Sequence, residues 1–293
     1  MADRKNLKMV ISYDGSGYSG WQRLGGTQKK KSIQSCIETV LQEVTKLDNL
    51  KIAGSGRTDA GVHAKGQVAN FHVPSSFLTD KFTLERWKEY CNYKLPEDIQ
   101  ILSLEEVENN FHSRYSAIKK TYVYYLDTRE TPCVFSRKYS LWVGNKLDVD
   151  AMKECSSLFL GEHDFRGFSS EKDMEKDTVR RIYNITFKRE EHLLAISITG
   201  DGFLYNMVRI LVGTLLEVGR GERTLEQVRF ALDNPKRKYA GVTVSSCGLF
   251  LYKVDYKYLK IGNSEIQFAH PAFVQSSHIN ARHVLTALNR SGT

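Results

Sequence analysis

The chain has 293 residues, of which 41% are hydrophobic and 26% are charged. At about 150 residues per domain, this length predicts two domains or one large domain, and the composition excludes a wholly disordered protein. Lysine and arginine outnumber aspartate and glutamate by 42 to 34, a net charge of +8, which favours polyanionic partners such as nucleic acid because phosphate contacts release condensed counterions.

Several other classes of protein are excluded by what the sequence lacks. No apolar run approaches the ~18 residues of a membrane-spanning helix, and the first residues lack the apolar core of a signal peptide, so we expect a soluble, cytoplasmic protein without membrane contact. The five cysteines are far apart, without a Cys-x-x-Cys pair, and the closest histidines, His278 and His283, have no further ligands nearby. We expect reduced cysteines and no bound metal.

The first part of the chain alternates between strand-like and helix-like patterns. Residues 6–13 place Leu7, Met9 and Ile11 on one face, as a strand does. The clearest helix follows Ser32, a candidate N-cap, and repeats apolar residues at helical spacing up to Leu47. Further elements are predicted as strands at 51–55, 67–73 and 99–104 and as a helix at 83–95.

A similar series begins near residue 112. Its predicted elements are strands at 121–127, 179–188, 192–199 and 248–256 and helices at 148–160, 203–218 and 224–233. Hairpins and short connections between them favour an α+β fold with mixed or antiparallel sheets over one doubly wound parallel sheet. We predict two ferredoxin-like halves, residues 1–112 and 113–258, and a tail of unknown role, residues 259–293.

A glycine-rich segment after the first predicted strand, residues 15–20 (GSGYSG), matches the G-x-G-x-x-G pattern of dinucleotide-binding proteins. That pattern binds a pyrophosphate only where its last glycines open a helix, whereas the next helix here starts near Ser32. The second strand with its acidic residue is also missing. We therefore interpret the segment as a flexible surface loop and expect no nucleotide cofactor.

The most informative stretch is residues 54–64 (GSGRTDAGVHA), whose three glycines allow unusual turns and a close approach of a ligand to the backbone. Arg57 and Asp59 are two residues apart and share a face in an extended segment. The arginine is then expected to lower the pKa of the carboxyl group and to keep Asp59 ionised, as a nucleophile requires. The alternative is a turn aspartate that caps backbone amides beside a solvated arginine.

Basic and aromatic side chains are mixed near the junction of the predicted halves, in residues 111–115 (FHSRY) and 119–124 (KKTYVY). Aromatic faces stack on unpaired bases while arginine and lysine hold phosphates, a combination typical of RNA-binding surfaces. The alternative is that the tyrosines, Tyr124 above all, pack one face of a strand. Residues 29–31 (KKK) are either a phosphate contact or a solvated loop.

One charged side chain interrupts the apolar helix predicted at residues 203–218. Arg209 is flanked by Val208 and Ile210, and a buried charge is costly unless it is paired. Either it pairs with a carboxylate or a phosphate in a cleft between the halves, or it lies on an exposed helix edge with its stem along apolar surface. The sequence leaves both interpretations open.

Taken together and in order, these segments resemble the TruA family of tRNA pseudouridine synthases. The motifs are residues 13–23 (YDGSGYSGWQR), 56–63 (GRTDAGVH), 111–114 (FHSR), 161–165 (GEHDF), 207–209 (MVR) and 248–251 (GLFL). The resemblance covers about residues 7–256. It implies two ferredoxin-like halves around a central basic cleft, a tRNA substrate, a homodimer and no cofactor.

The resemblance also implies the reaction and its residues. Uridine would be isomerised to pseudouridine at positions 38–40 of the tRNA anticodon stem-loop, after the base leaves its stack. Asp59 is implied as the nucleophile, Tyr122 as the residue that stacks on the base and assists loss of the C5 proton, Arg57 as an aid to extrusion and Arg209 as the partner of Asp59. Substrate contacts are implied for Tyr122 and for a further set, Gln22, Arg23, Phe111, His112, Ser113 and Arg114.

Two alternatives accompany this interpretation. Related pseudouridine synthases act on other tRNA sites or other RNAs, and a non-catalytic RNA-binding module would keep the cleft without the chemistry. The presence of Asp59 together with Tyr122 and Arg209 favours the enzyme. Lys119 and Lys120 stand where family members often carry two arginines, so we expect phosphate contacts there to differ in detail.

Overall fold

A computed structural model of the protein describes residues 4–23, 31–77, 83–171, 177–257, 259–261 and 264–266. The chain divides into two compact units, Met1–Lys257 and Tyr258–Thr293. Lys29, Lys30, His278 and His283 lie outside the described residues, and the expectations for them stay predictions. Across the described ranges, no helix is long and apolar enough to cross a membrane.

The first series of elements begins with β1 (Arg4–Tyr13), whose alternation buries Leu7, Met9 and Ile11 completely. The strand shares its apolar core with the buried face of α1 (Ile33–Thr45). The other elements are β2 (Ala53–Gly54), β3 (His63–Pro74), α2 (Leu84–Lys94) and β4 (Ile99–Val107). The strands pair antiparallel in the order β4-β1-β3-β2, which is the arrangement of a ferredoxin-like, split βαβ sheet.

The second series repeats this arrangement. Its strands are β5 (Ala117–Asp127), β6 (Leu141–Trp142), β7 (Gly161–Asp164), β8 (Val179–Glu190), β9 (Leu193–Gly200) and β10 (Leu249–Tyr256). Its helices are α3 (Val149–Ser157), α4 (Met207–Gly219) and α5 (Leu225–Asp233). The strand order β10-β5-β9-β8 is again ferredoxin-like, with β7 added at the edge and β6 paired to β5.

A short parallel pairing joins the two series into one mixed sheet. His63 and Ala64 of β3 lie opposite Phe250 and Leu251 of β10, so the strand that follows the Asp59 loop is adjacent to the last long strand of the chain. The prediction of an α+β fold with mixed and antiparallel pairing is confirmed. The boundary at residue 112 and the central cleft stay predictions.

Capping groups fix the helix boundaries where the sequence predicts them. The Ser32 hydroxyl accepts from the Ser35 N–H and the Ser35 hydroxyl accepts from the Ser32 N–H, which closes a capping box at the start of α1. Three further helices have a side chain that accepts a backbone N–H at the N-terminus: Thr83 at α2, Asp148 at α3 and Thr224 at α5.

The predicted start of the long apolar helix is wrong. Residues 203–204 are irregular and residues 205–206 form a turn. The helix α4 begins only at Met207 because Asn206 has φ 61°, a left-handed conformation that cannot continue a right-handed helix. From Met207 onward the helix is buried almost all round, as its composition indicates. The late start places Arg209 in the first turn of α4.

The chain after β10 contains a separate small element. β11 (Leu259–Ile261) pairs antiparallel with β12 (Ser264–Ile266). The sequence predicted neither of these strands, since residues 257–266 carry no clear alternation of apolar and polar side chains. The role of the tail stays open.

Candidate active site

Asp59 lies on the loop between β2 and β3, and neighbouring segments hold the backbone of that loop. The Val62 N–H donates to the Asp59 carbonyl oxygen at 3.1 Å and closes a turn, and the Trp21 N–H donates to the Thr58 carbonyl oxygen at 3.0 Å. The Thr58 hydroxyl is 2.8 Å from the Tyr13 hydroxyl. The loop that carries the Asp59 carboxyl group is therefore held by hydrogen bonds both before and after Asp59.

The glycine-rich segment after β1 packs directly against this loop. The Gly15 N–H donates to His63 Nδ1 at 3.1 Å, and a Cβ atom on Gly15 would overlap the Val62 carbonyl group. Tyr18 and Trp21 are 8% and 3% exposed. The interpretation of residues 15–20 as a flexible surface loop is therefore wrong, because glycine is required here for close packing of two backbones rather than for mobility.

Two opposing effects act on the pKa of Asp59, namely burial and the charge of one cation. Burial raises the pKa of the half-buried carboxyl group, and the positive charge of Arg209 acts in the opposite direction. Arg57 is exposed and does not contribute to the shift. The prediction that Arg57 lowers this pKa is wrong, because Arg57 is exposed to water and the positive charge that acts on the carboxyl group is that of Arg209.

Arg209 is held in position by neutral acceptors. Its Nε donates to the Val244 carbonyl oxygen at 2.7 Å, and its Nη1 donates to Asn206 Oδ1 at 2.7 Å. Within the described part of the chain it forms no ion pair closer than 4.0 Å. The guanidinium is thus oriented without being neutralised, and its charge remains effective toward Asp59.

Tyr122 lies on β5 and is 8% exposed. Its ring meets the edge of Phe203, with centroids 5.1 Å apart and an interplanar angle of 82°. Burial raises the pKa of its hydroxyl group, and the nearby charge of Asp59 adds to this shift. Tyr122 is therefore neutral at physiological pH and suits stacking or hydrogen bonding better than service as a phenolate base.

Three chemically distinct groups thus meet from three elements that are distant in sequence. Asp59 supplies a carboxylate, Arg209 a cation and Tyr122 an aromatic face; the charge of Arg209 acts on Asp59, and the charge of Asp59 acts on Tyr122. Through the described ranges, no cluster of three or more potential ligands could hold a metal ion.

The chain matches a known protein family over most of its length. The family model described as tRNA pseudouridine synthase matches residues 9–116 and 156–257, which is more than half of the chain. The chain belongs to this family. The predicted family is therefore confirmed. The prediction that the protein is an isomerase that acts on tRNA is confirmed with it.

The chain also aligns with individual relatives over almost the whole length of each. The chain is 46% identical to tRNA pseudouridine synthase A of Bacillus sp. (strain KSM-64) over 86% of this chain and 99% of that protein. It is 44% identical to tRNA pseudouridine synthase A 2 of Clostridium perfringens (strain 13 / Type A), over 86% of this chain and 100% of that protein. A third relative, tRNA pseudouridine synthase A of Clostridium kluyveri, is 41% identical with the same coverage.

Two residues of the segment 111–114 (FHSR) lie in the core rather than at the surface. Phe111 is 2% exposed and packs against the Tyr256 ring at 5.0 Å. Ser113 is fully buried; its hydroxyl donates to the Ala53 carbonyl oxygen, and its N–H donates to Asn70 Oδ1 at 2.9 Å. The Ser113 side chain thus supports β2, which leads into the Asp59 loop. Direct substrate contact by Phe111 and Ser113 stays a prediction that their burial disfavours.

The other implied substrate-binding residues are more accessible. Arg114 and Arg23 are exposed, and His112 and Gln22 are half-buried. The His112 Nδ1 atom accepts from the Arg114 N–H at 3.1 Å, which shapes the turn that presents the arginine. Their contacts with RNA stay predictions.

Sequence reasoning gave no role to His63, although it lies inside the Asp59 motif. The ring is 1% exposed and stacks on Phe250 at 4.6 Å. Its Nε2 lies 3.1 Å from the carbonyl oxygens of both Lys138 and Cys247. Burial lowers the pKa of the ring. A neutral histidine therefore anchors the end of the Asp59 loop to the second half of the sheet.

Proposed function

We propose that the protein isomerises uridine to pseudouridine in the anticodon stem-loop of tRNA, at positions 38–40, with Asp59 as the nucleophile. The observation that carries this proposal is the electrostatic coupling of Asp59 to Arg209 beside the neutral ring of Tyr122. Family membership supports the reaction class. The anticodon stem-loop follows from the resemblance in the sequence motifs.

The reaction needs a nucleophile and room to rotate the base, and it involves no redox change. Attack by the Asp59 carboxylate, on the ribose or on the base, leads to cleavage of the glycosidic C–N bond. The detached uracil rotates and rejoins the ribose through C5. The covalent bond to Asp59 breaks and frees the carboxylate, the C5 proton is released to solvent, and N1 takes up a proton, so the net change is an isomerisation. The target nucleotide must leave the helical stack before its glycosidic bond is accessible. Arg57, which is exposed on the Asp59 loop, helps to extrude the nucleotide in this proposal.

Tritium release from tRNA labelled at uridine C5 tests this function, because isomerisation leaves the mass of RNA unchanged but expels the C5 hydrogen. We expect release with the wild-type protein and carbodiimide-dependent primer-extension stops at positions 38–40. Release with stops elsewhere would assign a different tRNA site. Salt-sensitive RNA binding without any release would support the non-catalytic RNA-binding alternative.

Arg209→Met is expected to slow the reaction by about tenfold or more near pH 6. The acidic limb of the curve of reaction rate against pH is expected to move to higher pH. The reason is that Arg209 opposes the effect of burial on the Asp59 pKa, so its loss raises that pKa further and leaves less carboxylate. Initial rates of tritium release from pH 5 to pH 8 measure the shift. Arg220→Met is the control, since Arg220 is exposed at the other end of α4. An unshifted profile in Arg209→Met would contradict the effect of the Arg209 charge on Asp59.

We also propose that the protein is a homodimer. Support comes from apolar side chains left in solvent on the segment between β5 and α3, where Val134 is 61%, Phe135 88% and Trp142 47% exposed. Exposed apolar groups close together are typical of protein contact surfaces. Light scattering after size-exclusion chromatography is expected to give twice the chain mass, and Phe135→Ser to lower it. A monomeric wild type at micromolar concentration would overturn the proposal.

A further inference from the structure

The segment between β5 and β6 reaches back to the first series of elements beside the Asp59 loop. The Tyr139 hydroxyl donates to Asp14 Oδ2 at 2.9 Å, across 125 positions of the sequence. The carbonyl oxygen of the preceding residue, Lys138, lies 3.1 Å from His63 Nε2. Two adjacent residues therefore contact both Asp14, which follows β1, and His63, which begins β3 at the end of the Asp59 loop.

Backbone hydrogen bonds hold the part of this segment that carries Tyr139 in a turn. The N–H groups of Tyr139 and Ser140 both donate to the Ser136 carbonyl oxygen, at 2.8 and 3.0 Å. The Tyr139 ring packs against the buried ring of His63, with centroids 5.2 Å apart. The turn and the ring contact thus direct the Tyr139 hydroxyl toward Asp14.

The Asp14 carboxylate connects Tyr139 to the glycine-rich segment, residues 15–20. Its Oδ2 accepts from the Tyr139 hydroxyl, and its Oδ1 accepts from the Ser16 N–H at 2.8 Å. The second of these bonds fixes the first turn of the glycine-rich segment. A hydrogen bond to a carboxylate is stronger than one between two neutral groups, so Tyr139 restrains the position of Asp14 and of the turn that follows it.

The glycine-rich segment contacts the Asp59 loop on both sides of Asp59. A Cβ atom on Gly15 would overlap the Val62 carbonyl group, and one on Gly20 would lie 2.5 Å from the Thr58 carbonyl oxygen. Both contacts join backbone to backbone, and a backbone cannot rotate away as a side chain can. A displacement of the glycine-rich segment therefore displaces the Asp59 loop.

We propose that Tyr139 is a positioning residue for Asp59, with its hydroxyl acting through Asp14 and the glycine-rich segment. The proposal rests on the proposed function and deepens it, since it assigns part of the placement of the nucleophile to a residue of the segment between β5 and β6. Tyr139 itself touches no reacting group. Because the reaction depends on the placement of Asp59, a displacement of about 1 Å is enough to slow it.

Single-turnover tritium release, with enzyme in excess over tRNA labelled at uridine C5, tests the proposal because it measures the chemical step apart from product release. Tyr139→Phe is expected to slow this step about tenfold. Filter binding with Asp59→Asn present in every protein is expected to show a change in tRNA affinity of less than about twofold, since phosphate contacts are intact. The melting temperature is expected to stay close to that of the wild-type protein, because the ring and its packing remain.

Tyr93→Phe is the matched control, since it removes the same hydroxyl group from a tyrosine that is exposed on α2. It is expected to keep the wild-type rate. Asp14→Ala removes the acceptor and is expected to slow the chemical step at least as much as Tyr139→Phe. Adding Tyr139→Phe to Asp14→Ala is then expected to cause no further loss, because the two substitutions remove one shared contact.

Three results would overturn the proposal. They are a wild-type rate in Tyr139→Phe, additive losses in the double variant with Asp14→Ala, and a fall of about tenfold in tRNA affinity, which would place the Tyr139 hydroxyl on the RNA. Absence of tritium release by the wild-type protein would reject the proposed function and this inference with it. Release by the wild type together with any of the three results would reject the inference alone, so the two failures are distinguishable.

Discussion

Asp59→Asn is expected to abolish pseudouridine formation, with a loss of about 10⁴-fold or more in turnover, while tRNA affinity changes by less than about threefold. An amide has no ionised oxygen with which to attack, and a nucleophile has no substitute in the site. Affinity depends mainly on phosphate contacts by lysine and arginine, which this substitution leaves intact. Tritium release and filter binding with one tRNA preparation measure both quantities.

The stability of the same variant provides a second readout. Since burial raises the pKa of Asp59 in the folded protein, its ionised form is disfavoured by folding at neutral pH. Removing that charge is expected to leave the melting temperature at pH 7 unchanged or higher, and the difference is expected to disappear as the pH falls and the carboxyl group protonates. Loss of activity would then not be due to unfolding.

Asp48→Asn is the control for this experiment, because Asp48 is exposed just beyond the end of α1. It is expected to behave as wild type in both assays. Substantial tritium release by Asp59→Asn would rule out the nucleophile assignment. A large loss of affinity in that variant would show that Asp59 acts in binding as well.

Gly15→Ala is expected to reduce the free energy of unfolding by about 1–3 kcal/mol and the rate of tritium release by about 100-fold. The new Cβ would overlap the Val62 carbonyl oxygen and lie 2.7 Å from its carbonyl carbon. Both contacts are with backbone, which cannot rotate away as a side chain can. The Asp59 loop must then shift, and a displacement of about 1 Å is enough to impair a reaction that depends on placement.

Gly17→Ala provides a matched control in the same segment, since no heavy atom lies within 4 Å of the Cβ it would add. Both substitutions replace glycine by alanine and change the unfolded chain alike. Gly17→Ala is therefore expected to keep wild-type stability and activity. Denaturant titrations and tritium release with both variants make the comparison. Equal behaviour of the two would mean that the packing of residues 15–20 against the Asp59 loop does not position Asp59.

The sequence by itself determined most elements of secondary structure and the family. Apolar periodicity and capping residues are local signals that operate within about ten residues, and they located α1 after Ser32, α2 after Thr83 and α5 after Thr224. Ordered motifs predicted the family, which the comparisons confirmed. Short strands such as β6 and β7 were missed because two to four residues are too few to show a period.

Spacing along the chain did not determine which side chains share the site; the family resemblance implied Arg209 and Tyr122, and the tertiary structure decided which charges act on Asp59. Arg57 is the cation closest to Asp59 in sequence, yet Arg209 is the one whose charge acts on it. Lys120 reaches the Ser55 carbonyl oxygen from a separate strand. These relations join residues distant in the chain, and they exist because the sheet halves associate through β3 and β10. Spacing along the sequence carries no information about such contacts, since packing, rather than local backbone preference, fixes them.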